Sequence, residues 1–374
     1  MNTHTLPKFE LGQVQDIKPI EVDLPDGLQP GSIRIANVYE PYSELVPEAR
    51  RKEIIEEEIA LDEMSRKAKE NGEWDRAPGL AYNLNGKDRK VSGHGPAMES
   101  FYGSKSKIFQ DWGELAIPSA FALSALAHPV VGQEVLGSQG QILGALDEHS
   151  AEWFAYGTDG IAIRTRAAVL AHLVSESLND NPELGNGPWM SVACGTAIPT
   201  LQVARANDVK PPLTLVDSDR SVLDGVTRMA EELGIGNGFD KVVGNVFDEA
   251  FMGEKLQHHM REKWGQKVKI ADGMGIFEYI GSQLAMLGVD TKVEDFLRWN
   301  YDLLADDGRF IFGQMLDSRP RPDFTFGAVG WPFVVTRSLQ EIMQTVVKAG
   351  IDPKNSHVVL SNPGVYAVVA VDKK

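Results

Sequence analysis

The chain has 374 residues, 43% of them hydrophobic, with 37 Lys+Arg against 53 Asp+Glu and a formal net charge of −16. That acidic excess repels phosphate backbones at long range and disfavours a dedicated nucleic-acid binder. No apolar run reaches the roughly eighteen residues needed to span a bilayer, and the first ten positions lack the basic start and apolar core of a secretion signal. The single cysteine, Cys194, forms neither an internal disulfide nor a thiolate cluster for zinc, so a cytoplasmic protein without membrane or metal is expected.

The first 35 or so positions are rich in Pro and Gly without a sustained period, and read as an extended arm, docked or mobile. From Pro47 to Asn71, Ile54, Ile55, Ile59, Leu61 and Met64 recur at helical spacing among charged residues, with Gly72 placed to end the helix. Too few heptads follow for a coiled coil, so a solvated amphipathic helix is expected. Residues 1–76 form this first region. Residues 77–184 form a second, helical and Ala/Leu-rich, whose clearest helices are 117–127 and 161–178, with no alternating strand pattern.

Beyond the loop Gly185-Asn-Gly-Pro188 the character changes, and residues 185–374 form the third region. Strands are expected at 189–194, 213–217, 239–246, 268–272 and 308–315, with helices between them at 199–207, 219–233, 250–263 and 291–304. That alternation gives βαβ units and a parallel sheet. After a helix near 336–349, two apolar runs flank Ser361-Asn-Pro-Gly364, a hairpin that sets the last strand antiparallel. The fold class expected is α/β, a Rossmann-like seven-stranded sheet with a terminal antiparallel hairpin, preceded by a mainly helical region.

Within that sheet, the stretch from Trp189 to Ala204 is a buried strand, a small-residue turn and a helix start, and the next strand closes on Asp217. A small-residue turn admits close backbone approach to a ligand, and a carboxylate at the neighbouring strand tip accepts hydrogen bonds from a ribose diol. Together they describe a nucleoside-cofactor site.

The five-strand run and terminal hairpin resemble class I S-adenosylmethionine (SAM)-dependent methyltransferases over roughly the C-terminal half of the chain. That family's first motif, acid-x-Gly-x-Gly-x-Gly, falls here on Ser191, Ala193, Gly195 and Ala197, so the leading acid and two glycines are replaced. The turn is similar to the subgroup with an Ala-Cys-Gly-x-Ala first motif, which includes enzymes resembling fatty-acid methyl-ester synthases. Ala is expected to keep the turn where φ is negative. The resemblance implies SAM as cofactor, with Asp217 on the ribose hydroxyls and Ser218 beside it. Asp219 reads instead as the cap of the following helix. After the third strand, Asn245 or Asp248 would reach the adenine amino group, and Val246 or Phe247 its face; a turn satisfying its own backbone is the equal alternative. Asp272 and Gly273, at the end of the fourth strand, would lie beside the methyl donor. The string Gly275-Ile-Phe-Glu-Tyr-Ile280 resembles Gly-Leu-Phe-Asp-Tyr-Leu of the ester-forming subgroup, and Gly330-Trp-Pro-Phe333 and Thr336-Arg-Ser338 are similar to it too.

Methyl transfer asks mainly for alignment, plus a base where the acceptor carries a proton. Asp272, Glu278, Tyr279 and, where the helical region folds over the site, His94 or Tyr156 are candidates near the donor, and none is assigned as base. Tyr156, Phe277, Tyr279 and Trp331 are the candidate acceptor contacts. As attached caps do in small-molecule methyltransferases, residues 77–184 would cover the cofactor and shape the substrate pocket; Trp153, Tyr156, Asp159 and Arg164 stand where that cap meets the third region, and Arg164 serves either the cofactor's carboxylate or a salt bridge on an exposed helix. The function expected is methyl transfer to a small molecule, at a hydroxyl or carboxylate oxygen. The alternatives are a non-catalytic protein binding SAM or S-adenosylhomocysteine (SAH), an RNA methyltransferase opposed by the charge, and a nicotinamide dehydrogenase opposed by the hairpin and the missing Gly-x-Gly-x-x-Gly. Oligomeric state is not legible.

Overall fold

The strand signals after Trp189 meet in one sheet, and the computed structural model describes residues 8–73, 95–103, 106–117, 119–236, 238–281, 290–331 and 334–374. In chain order the strands are β1 Gln13–Pro19, β2 Ser32–Tyr39, β3 Glu134–Leu136, β4 Ile142–Ala145, β5 Trp189–Val192, β6 Leu213–Asp217, β7 Asp240–Val243, β8 Val268–Gly273, β9 Leu304–Met315, β10 Ser356–Ser361 and β11 Tyr366–Asp372. Among the described residues the α-helices are α1 Glu48–Glu70, α2 Pro96–Gly103, α3 Lys107–Asp111, α4 Ala122–Ala127, α5 Glu148–Tyr156, α6 Thr158–Asp180, α7 Ile198–Ala206, α8 Arg220–Glu232, α9 Leu256–Trp264, α10 Val293–Leu303 and α11 Leu339–Lys348. The chain divides into a sheet unit (1–40, 164–318 and 335–374) and a helical unit (41–163 and 319–334).

In the sheet unit nine strands lie in the order β1-β2-β10-β11-β9-β8-β5-β6-β7. β5 pairs in parallel with β6 and β8, β6 with β7, and β8 with β9, whereas β11 runs antiparallel to both β9 and β10. Five of the eight pairings are thus parallel, counting β2 with β10. The two strands beyond the expected seven come from the segment read as an arm. β2 pairs in parallel with β10, and β1 folds back on β2. From Ile35 onward β2 alternates, with Ala36 and Val38 buried on one face and Ile35, Asn37 and Tyr39 exposed on the other; Ile33, at the start of the strand, is buried as well. The inner strands β5 and β11 are buried on both faces, as strands covered by helices on each side must be. Their core packs Phe277 flat on Phe312, centroids 4.1 Å apart, with the Phe296 ring edge-on at 5.3 Å. Ser338 and Glu341 form a reciprocal capping box on α11, and Asp219 caps α8 by accepting from the Ser221 N–H at 2.8 Å.

The helical unit closes on an aromatic cluster, with Phe101 edge-on to Phe109, Trp153 and Phe324. The helix expected at 117–127 is confined to α4, and a short hairpin, β3–β4, occupies a stretch with no strand signal of its own. The unit takes in α1, and also a late segment tied to it by three contacts. Arg321 pairs with buried Glu58 at 2.8 Å, Arg319 with Asp159 at 2.9 Å, and the Phe324 N–H donates to Asp62 at 2.9 Å. These long-range pairs draw the division at 40/41, 163/164, 318/319 and 334/335 rather than at 76/77 and 184/185. No described helix is long and apolar enough to cross a membrane.

Candidate functional site

At the carboxyl edge of β5 the backbone turns through three left-handed residues: Ala193 at φ 49°, Gly195 at 53° and Ala197 at 53°. The expectation that the alanines keep negative φ is therefore corrected. Both adopt the conformation that suits glycine, at a cost of about 1–2 kcal/mol each. The turn is held in that shape from both sides. The Cys194 N–H continues the ladder to Val216 O at 3.1 Å, and the Ala197 N–H donates to Cys194 O at 2.8 Å. Ala193 is half-buried, so its methyl adds little packing. Ala193→Gly is expected to raise unfolding free energy by about 0.5–1 kcal/mol, and Ala193→Val to lower it by more, read from urea midpoints.

Asp217, at the end of β6, braces the same turn. Its Oδ2 accepts from the Gly195 N–H at 3.0 Å and its Oδ1 from the Asp219 N–H at 3.0 Å. Burial pushes its carboxyl above the usual range against these donors. The Ser218 N–H also acts on this carboxylate, which still leaves acceptor capacity for a ligand. Thr196, within the turn and 1% exposed, has a buried hydroxyl without a hydrogen-bond partner.

Ser191 stands where an acid was expected, and the acid is on the next strand. Asp272 of β8 is its register partner. Ser191 Oγ donates to Asp272 Oδ1 at 2.9 Å, and Thr200 Oγ1, in the first turn of α7, donates to Oδ2 at 2.8 Å. Burial pushes Asp272 up to about 6, against both hydroxyl donors. An acid raised this way favours its protonated form in the folded chain. Its contribution is fully present below the ordinary value of 3.8 and is lost as pH rises through about 6. The loss amounts to about 3 kcal/mol. Asp272→Asn should therefore gain on the wild type between pH 4 and 6 by about that amount in urea unfolding, and a constant difference would refute the assignment.

The loop after β7 satisfies itself. Asn245 Oδ1 accepts from the Phe247 N–H and Asp248 Oδ1 from the Ala250 N–H, each at 3.0 Å. Val246 is buried in the sheet unit's core, while Phe247 is half-buried with its ring 6.0 Å from Phe296. Ser218 is exposed. A Cβ on Gly273 would meet the Phe310 ring at 3.2 Å, so the small residue answers a packing demand. Phe277 is corrected from acceptor contact to core, being 1% exposed in the stack with Phe312. Tyr279 is half-buried at the end of the turn after β8.

In the helical unit, Tyr156 is half-buried beneath the Arg51 guanidinium, and Trp331 helps line a cavity of about 30 Å³ with Phe101, Trp112 and Trp153. That space suits one water and not an acceptor. Asp159 is held by Arg319 at 2.9 Å and Thr325 at 2.7 Å, and Trp153 is buried among aromatic rings. His94 and Phe333 lie outside the described residues. Arg164 makes a salt bridge, but a buried one and not one on an exposed helix: its guanidinium forks onto Glu40 at 2.8 and 3.0 Å, with both side chains 4% exposed.

Thr200, Arg166 and Arg337 were not legible as site residues. Arg166 Nη1 donates to Glu278 Oε1 at 3.0 Å, both side chains 4% exposed, and its guanidinium lies 4.4 Å from the Tyr366 ring centroid. Arg337 donates to Phe277 O at 2.8 Å and to Ile280 O. The available signal was Arg164-Thr-Arg166 inside an apolar helix, since buried arginines need partners. Among the described residues no group of three His, Cys, Asp or Glu side chains could hold a metal ion.

No family model and no curated protein matches the chain. Among solved structures, a possible exported protein of Bordetella parapertussis is 13% identical with a TM-score of 0.52, the match covering 86% of this chain and 96% of that one. A Nostoc punctiforme protein provisionally named an O-methyltransferase is 16% identical at a TM-score of 0.40, over 60% of this chain and 61% of that one. The chain thus spans about three fifths of the Nostoc protein. Magnesium protoporphyrin IX methyltransferase of Synechocystis, with bound SAH, is 11% identical at a TM-score of 0.40, over 58% and 87%. At such identities the likeness is one of fold, carried by the Bordetella match: an α/β chain built on a large, mostly parallel sheet.

Proposed function

We propose that the protein is a SAM-dependent methyltransferase acting on a small molecule at oxygen. The observation that carries this reading is the turn Ala193–Ala197, held open by left-handed backbone and braced by the carboxylate of Asp217 on the adjacent strand. The donor set fits the cofactor. Asp217 retains acceptor positions for the ribose hydroxyls, and the turn offers close backbone approach. Asp272 supplies, one strand away, the carboxylate that Ser191 lacks, near the cofactor's amino-acid end. Bound there, SAM supplies an electrophilic methyl group on a sulfonium. The unpartnered Thr196 hydroxyl is a further group for the cofactor to satisfy. The loop 245–248 contributes shape more than hydrogen bonds, because Asn245 and Asp248 already serve their own backbone.

Calorimetric titration with SAM, SAH and NAD tests the reading. Micromolar binding of the two sulfur compounds, without NAD, is expected. NAD binding in their place would sink it, and SAH binding without turnover on any oxygen acceptor would favour a non-catalytic binder.

A further inference from the structure

The turn after β8 carries a buried carboxylate that the cofactor does not need. Glu278 is 3% exposed and its Oε1 accepts from Arg166, while its Oε2 is buried without a partner. Such an oxygen is costly in a protein interior unless a donor reaches it. The surroundings are built around Arg166. A Cβ at Gly313 of β9 would come within 2.8 Å of Arg166 Cδ, and one at Gly275 within 3.7 Å of Arg166 Nη2. Gly313 thus leaves the guanidinium its path past β9, whereas a Cβ at Gly275 would make only ordinary contact with it.

From this geometry, and resting on the methyltransferase reading above, we infer that Arg166 and Glu278 form the acceptor subsite and take a phenolic hydroxyl, Glu278 Oε2 accepting its proton and Arg166 donating to its oxygen. The class of ligand follows by elimination. A carboxylate has no proton to offer Oε2 and meets the charge of Glu278. An ammonium ion meets two guanidiniums, Arg166 and Arg337, around one carboxylate. A hydroxyl both donates and accepts, as the pair requires. Burial raises the proton affinity of Glu278, opposed by Arg166 and Arg337. A phenol, near pKa 10, is within reach of such a base beside a guanidinium, whereas an aliphatic alcohol, close to water at about 15.7, is not. The proton moves from the phenol to Oε2 and passes from there to water. The subsite stands at the end of β8, whose Asp272 is the register partner of Ser191 in β5, directly before the cofactor turn.

The test uses the full chain and simple probes: phenol, its methyl ether anisole, and benzoate, titrated by ligand-observed NMR with and without SAH. Phenol is expected to bind at least about tenfold tighter than anisole, and Glu278→Gln to erase that preference while SAH affinity stays within about twofold. Equal binding of phenol and anisole, preferential binding of benzoate, no binding of any probe at millimolar concentration, or a phenol preference surviving in Glu278→Gln would each overturn the assignment. If Glu278→Gln fails to fold, the comparison of probes on the wild type decides. Loss of SAH binding by the wild type refutes the cofactor reading instead, and the arm without SAH still reads the subsite.

Discussion

Asp217→Ala is expected to weaken SAH binding by at least about a hundredfold in calorimetry. The expectation follows from two hydrogen bonds between a carboxylate and ribose hydroxyls, each contributing about 1.5–3 kcal/mol. The same substitution also removes the acceptor of the Gly195 and Asp219 N–H groups. A stability loss of about 1–3 kcal/mol should therefore accompany it. That lies below the total of a typical domain, so the folded state persists. The two effects separate in one experiment: urea unfolding fixes the stability term, and titration of the folded variant fixes the affinity. Wild-type affinity in Asp217→Ala would refute the ribose assignment, whatever happened to the turn.

The largest stability effect is expected from Glu40→Ala. Glu40 follows β2 directly, and Arg164 forks onto its carboxylate with both side chains in the interior. Removing the acid leaves a buried guanidinium without it, which costs about 3–5 kcal/mol. The double variant Glu40→Leu with Arg164→Leu should recover most of that loss, because replacing a buried ion pair by apolar groups is often close to neutral. A loss under about 1 kcal/mol in Glu40→Ala, measured by urea unfolding, would mean that the pair is solvated in solution.

The elements after Trp189 were legible because each announces itself locally. Apolar runs such as Leu213-Thr-Leu-Val216 can only be buried strands when charged, amphipathic segments separate them. Asp219 as a cap was legible for the same reason, its partner lying two residues away. What the sequence concealed depends on distant partners. Ser32 and His357 are 325 positions apart, so no local pattern tells β2 from a loose arm. Arg164 and Glu40 are separated by 124 positions, and either could have served a ligand. The conformation of Ala193 and Ala197 was hidden differently. Alanine signals ordinary right-handed backbone, and it is the surrounding ladder and the Asp217 brace that force φ positive. The acid absent at Ser191 was visible at Asp272, yet strand register alone reveals that one stands beside the other.

The pairing of β2 with β10 also sets an order of events. Ribosomes emit residues 32–39 hundreds of positions before residues 356–361, so β2, able to pair early only with β1, must keep its other edge open for nearly the last strand. A nascent chain in that interval carries Ile33, Ala36 and Val38 with nothing to bury them. Closing so long a loop makes this a slow, late step of assembly. The charges that flank these apolar residues on β1 and β2, including Asp16, Lys18 and Arg34, then act as gatekeepers against self-association during synthesis.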